Sequence, residues 1–130
     1  MKNRECKARA IVRLTNAMDA SLFRQKKVKR VRSAILNAKV DQRAVRIVLP
    51  EAIVKKLGLR IRSDYGAIRK TEPVEIELEG RTTAEESVVM GMDVVIGRSV
   101  LASLDLFVDC KSRRLVPNPA HPNEAVIKVK

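Results

Sequence analysis

Aromatic side chains are nearly missing from this 130-residue chain. They make up 2% of it, as Phe23, Tyr65 and Phe107, and there is no tryptophan. Reading single-stranded nucleic acid by stacking needs such platforms, so most stacking-based recognition is excluded. Histidine occurs once, at His121, and cysteine twice, at Cys6 and Cys110 near opposite ends. So spaced, they do not make a zinc site, and no metal or other cofactor is expected. The two cysteines are expected as reduced thiols. No apolar run is long enough to cross a bilayer, and the stretch Met1–Lys7 has no apolar leader core. A cytoplasmic protein without membrane attachment is the expectation. The nucleophile elbow, the glycine-rich phosphate loop and the two-histidine metal motif are all missing.

What is present is enough apolar material for a core. Hydrophobic residues make up 45% of the chain and charged residues 32%, which argues against disorder. A chain of this size buries about two-thirds of its unfolded surface, so one domain spanning 1–130 is expected. The net charge is +12. Residues 1–32 hold eleven basic and two acidic groups, a balance of +9, which leaves +3 for the remainder. Arg24, Lys26, Lys27, Lys29, Arg30 and Arg32 crowd into nine positions. Such a run is either a solvated loop or the footprint of a non-specific anionic partner.

Alternation dominates the pattern. Ala8, Ala10, Val12 and Leu14 share one face of a strand, and Ala34, Leu36, Ala38 and Val40 share one face of another. Thr15–Asp19 between them reads as a turn. Val45–Leu49 is a short β-branched strand that Pro50 stops. Glu51–Leu57 is a short helix, acidic at its start and basic at its end, with Gly58 as its terminator. Val74, Ile76 and Leu78 alternate with Glu75, Glu77 and Glu79, Gly80 turns the chain, and Thr82–Met90 returns. Val94–Ile96 is a buried strand, Ser99–Leu104 a second helix, and Leu106–Val108 and Leu115–Val116 flank a turn. The proline-rich stretch 117–130 reads as an irregular tail. The fold class is mainly β, a small closed barrel or sandwich with one or two short helices.

Three segments resemble the retropepsin-like (clan AA) aspartic proteases, in particular their small bacterial single-lobe type. They are Ala38–Pro50 with Leu57-Gly58-Leu59, Val74–Arg81, and Val94–Leu101 running on to Pro119. Ile96, Gly97 and Arg98, leading into the second helix, are the most specific part. The resemblance spans roughly residues 8–123 and implies a barrel lobe that supplies one aspartate from the end of a buried strand. That residue is Asp41. Two copies would then bring two Asp41 carboxylates together to share one proton, activate a water and hydrolyse a peptide bond. Because one copy carries one such aspartate, activity implies a homodimer and a polypeptide substrate.

The site motif departs from the family pattern. Where the family has Asp-Thr/Ser-Gly, this chain reads Asp41-Gln42-Arg43-Ala44. Arg43 is placed to pair with Asp41, which would keep the carboxylate ionised and oppose a shared proton. A peptidase homologue with impaired or no catalysis is the expectation. Ala44 beyond the aspartate, with Tyr65 and Gly66 in the flap, would line a substrate groove. Asp64-Tyr65-Gly66-Ala67 only superficially resembles the motif and reads as a turn. Asp105 and Asp109 read as surface or capping residues, and His121 as an exposed tail residue. In the family, the arginine at the position of Arg98 pairs with an acid four residues after the aspartate; here that position is Val45. A second resemblance, of Val45–Leu59 to swapped-hairpin DNA-binding regulators and antitoxins, covers far less of the chain. It would use the basic N-terminal half.

Overall fold

The computed structural model describes residues 7–63 and 68–121. Tyr65 and Gly66, expected in the flap, lie outside the described residues, as does the turn reading of Asp64–Ala67. Nine strands and three short helices are formed among the described residues: β1 (Ala8–Asn16), α1 (Ala17–Arg24), β2 (Ser33–Val40), β3 (Val48–Leu49), α2 (Glu51–Leu57), β4 (Ile61–Ser63), β5 (Arg69–Leu78), β6 (Arg81–Val89), β7 (Val95–Ile96), α3 (Arg98–Leu104), β8 (Leu106–Asp109) and β9 (Arg114–Pro117). None of the helices is long and apolar enough to cross a membrane.

The strands run β1-β2-β7-β3-β6-β5-β4, and β1 also pairs with β5. That extra pairing closes six strands into a barrel and leaves β4 on the far half of β5. The β1–β2 register sets Ala8 against Val40, Ala10 against Ala38 and Leu14 against Ala34, so the alternating apolar faces meet inside. Val12, Leu14, Ala38, Ile47, Leu49, Leu57, Val74, Ile76, Ile96 and Leu104 are almost entirely shielded from solvent. The β5–β6 hairpin turns on Glu79 and Gly80, both at positive φ (51° and 76°), the left-handed pair that suits a two-residue hairpin loop. Pro73 is kept in β5 because it falls at a register shift of the β5–β6 ladder, between Lys70 and Pro73.

Three departures from the sequence reading have clear causes. Residues 15–19 are not a turn: β1 continues to Asn16, and α1 starts at Ala17. Buried Asn16 is its N-cap, accepting the Asp19 N–H at 2.9 Å while its own amide donates to the Leu57 carbonyl at 2.8 Å. This is ordinary N-capping, but it depends on the end of α2, which only the fold brings near. The strand expected at Val45–Leu49 shrinks to Val48–Leu49, because the Ile47 N–H bonds to a side chain, Glu85, at 2.8 Å instead of to a neighbouring strand. Pro117 is not yet irregular tail but the last residue of β9, paired with Leu106.

Cys110, expected as a free thiol, is disulfide-bonded. That expectation rested on a reducing compartment, which composition alone does not establish. Cys6 lies outside the described residues.

Candidate active site

β2 ends at Val40, and its final residues pair in parallel with β7: Lys39 with Val95 and Val40 with Ile96. The next residue, Asp41, donates its backbone N–H to the Ile96 carbonyl at 3.0 Å. The aspartate therefore stands where a buried strand leaves the barrel, one residue past the last ladder contact. Its side chain is about one-third exposed (35%).

The loop 41–47 then folds back over Gly97. The Ala44 N–H bonds the Asp41 carbonyl at 3.1 Å, Arg98 N–H bonds the Ala44 carbonyl at 2.8 Å, and Ser99 N–H bonds the Val45 carbonyl at 2.9 Å. A Cβ placed on Gly97 would lie 2.6 Å from the Arg46 oxygen and 2.7 Å from the Ala44 oxygen. Glycine is required there for close approach of two backbones, although its φ is ordinary at −100°. Ile96, Gly97 and Arg98 thus act as a platform under the Asp41 loop. The side chain of Arg98 makes no ion pair among the described residues.

Glu85 completes the platform and was missed by the sequence reading. It sits on β6 in the inward register of Ser87 and Val89. One carboxylate oxygen accepts the Ile47 N–H at 2.8 Å and the other accepts the Ser99 hydroxyl at 2.6 Å. The short hydroxyl contact is typical of a charge-assisted bond. The available signal was a carboxylate in phase with buried positions of a strand.

The environment of Asp41 is dominated by Arg43. The Arg43 backbone N–H donates to Asp41 Oδ1 at 2.9 Å, Nε donates to the same oxygen at 3.0 Å, and Nη2 donates to Oδ2 at 2.9 Å. Both carboxylate oxygens are therefore engaged by one planar fork. The guanidinium bonds, followed by the backbone bond, hold the Asp41 carboxyl below its ordinary pKa; partial desolvation opposes them. Gln42 lines an open depression of about 330 Å³ with Arg98, Leu101, Leu106, Phe107 and Val108. Ala44, expected in the groove, is half-buried and does not line this depression.

The remaining candidates are structural. Asp105 terminates α3 in the left-handed conformation and accepts from Asn118 at 2.9 Å. It also contacts His121 Nδ1 at 2.7 Å, so that histidine is tied down rather than loose. Asp109 accepts the Lys111 N–H and the Ser112 hydroxyl within the β8–β9 turn. Of the basic run, Arg32 is committed: its guanidinium grips Asp19 Oδ2 at 2.7 Å and Oδ1 at 2.9 Å.

No protein-family model and no curated protein matches the sequence. Solved structures do match. One is the EIAV protease complexed with the inhibitor HBY-793, with a TM-score of 0.51, 20% identity, and coverage of 78% of this chain and 91% of that one. Another is the retroviral protease-like domain of Ddi1 from Leishmania major, with a TM-score of 0.52, 16% identity, and coverage of 86% and 90%. The fold is retropepsin-like. Val45–Leu59, the segment that also resembles swapped-hairpin regulators, contributes β3 to the barrel sheet and the helix α2 beside it.

Proposed function

We propose that this chain is a retropepsin-like aspartic peptidase homologue of the small single-lobe type, working as a homodimer, in which Asp41 holds the catalytic position but peptide hydrolysis is disabled. The observation that carries this reading is the capture of both Asp41 oxygens by Arg43. Aspartic peptidase chemistry needs two carboxylates that share one proton, so that one can activate water while the other donates to the scissile carbonyl. An arginine on each carboxylate lowers both proton affinities. At neutral and mildly acidic pH both groups are then ionised, and the acid half of the pair is missing. The guanidinium also takes up acceptor positions on both carboxylate oxygens that a catalytic water would use. In place of the family's hydroxyl and glycine, Gln42 and Arg43 add bulk and charge next to the dyad axis.

The test is cleavage of a mixed peptide library by the purified full-length chain and by Asp41→Asn, with oligomeric state followed by sedimentation. Equal background from both proteins, on a dimeric species, is the expected result. Cleavage by the wild type that Asp41→Asn abolishes would overturn the disabled reading. A strictly monomeric chain at high concentration would overturn the dyad altogether.

A further inference from the structure

We infer that the loop joining α1 to β2 is a docking surface for the phosphate backbone of a nucleic-acid duplex, bound without sequence preference. Four observations converge on it. Arg24, Lys26, Lys27, Lys29 and Arg30 are all exposed, and none of the five forms an ion pair among the described residues. Asp19, the nearest acid in sequence, is consumed by Arg32, so it does not neutralise them.

The loop is also anchored at both ends. Gln25 N–H bonds the Ser21 carbonyl at 3.2 Å, Lys26 N–H the Phe23 carbonyl at 2.9 Å, and Lys27 N–H the Leu22 carbonyl at 2.8 Å. At its far end the Arg32 carbonyl accepts the Asn16 N–H at 2.9 Å, and Arg32 N–H reaches Asp19 Oδ2 at 3.0 Å. Cations on a preorganised loop lose less entropy on meeting a rigid polyanion than cations on a free tail.

The patch extends onto α2. The Arg32 guanidinium packs so closely on Gly58 that a Cβ there would overlap it. The C-terminal end of α2, whose last turn carries exposed Lys55 and Lys56, therefore meets the loop at Arg32.

Finally, the patch is remote from Asp41. The eight steps of β2 and its exit residue separate Ser33 from Asp41 by about 26 Å at ordinary strand rise. The inference therefore does not rest on the reading of Asp41, and either can fail alone. A duplex is favoured over a membrane because the cations sit on a loop. The adjoining helix α1 shows only Met18 and Phe23 as strongly exposed apolar side chains, too little for interfacial insertion. With a single aromatic at hand, stacking on unpaired bases has little to work with, and phosphate contacts carry no sequence information.

The experiment is fluorescence anisotropy of two unrelated 20-base-pair DNA duplexes with the full chain, from 50 to 200 mM salt, beside flotation with phosphatidylserine vesicles. If about six cations meet phosphates, affinity falls about a thousandfold across that range. The two duplexes bind within threefold of each other. The variant Arg24→Gln, Lys27→Gln, Lys29→Gln, Arg30→Gln changes only exposed side chains. It is expected to keep the wild-type melting temperature, to weaken binding at 50 mM salt at least tenfold, and to flatten the salt slope by about 3.6. Duplex binding that the fourfold variant leaves unchanged overturns the inference. So does retention on vesicles without duplex binding, or a tenfold preference between the duplexes.

Discussion

Glu85 grips Ser99 through a 2.6 Å hydroxyl bond, and its second oxygen takes the Ile47 N–H. A side chain on β6 thereby ties the exit of the Asp41 loop to the start of α3. In the family pattern an arginine at the position of Arg98 is expected to secure this loop through an acid. Here the acid's position is Val45, and the fastening comes from the opposite direction.

Replacing Glu85 with alanine leaves the Ile47 N–H without its partner and removes a charge-assisted bond. A loss of about 2–3 kcal/mol is expected, against about 1 kcal/mol for Glu85→Gln, which keeps one acceptor. Urea denaturation of the three proteins checks the order. Equal midpoints for wild type and Glu85→Ala would show that the loop is held by other contacts.

Gly97→Ala is expected to be damaging to a similar degree. Its Cβ meets two backbone oxygens at 2.6 and 2.7 Å, and neither can swing aside as a side chain would. A cost of about 1–3 kcal/mol follows for such overpacking. Amide exchange at Arg98, whose N–H bonds the Ala44 carbonyl, should quicken more than exchange in β1.

Removing the arginine should free the aspartate. With Arg43→Gln, the Asp41 carboxyl loses its strongest stabilising bonds, and its pKa should climb towards or above the ordinary value of about 3.9. Carbon-13 NMR of the side-chain carboxyl follows this directly. The pair Gln42→Thr and Arg43→Gly restores the family pattern and should raise acidic peptide cleavage above wild type, with Asp41→Asn abolishing the gain.

Acid should weaken the Asp19–Arg32 link in a defined window. Arg32 hydrogen bonds lower the Asp19 pKa against the opposing effect of burial. A lowered carboxyl pKa gives stability that is complete above the unfolded value of about 3.9 and disappears as pH falls through the folded value. The gap between wild type and Asp19→Asn should therefore stay constant from pH 7 to about 5 and close below about 4. Thermal melts across that range measure it, and a gap that widens in acid would contradict the assignment.

Much of this architecture is legible in the residues. Period-two alternation locates β1, β2 and β5, and Pro50, Glu51 and Gly58 bound α2 where the structure has it, with Gly58 in the left-handed conformation. Asp41, at the end of its strand, and its partner Arg43 follow from the motif and a two-residue spacing. What escaped notice depends on distant chain segments. α1 needs Asn16, whose side chain is satisfied by the carbonyl of Leu57, 41 residues away. Glu85 lies 38 residues from Ile47. Local pattern does not say which far backbone group a polar side chain will meet.

Closure of the barrel by the β1–β5 pairing has one more effect. Each of the six ring strands has a partner on both sides over at least part of its length, so among the described residues only β4 and the two strands of the β8–β9 ribbon are paired on a single side throughout. β4 is three residues long, follows Arg60 and has exposed Arg62 at its middle, a length and charge that discourage edge-to-edge pairing into fibrils.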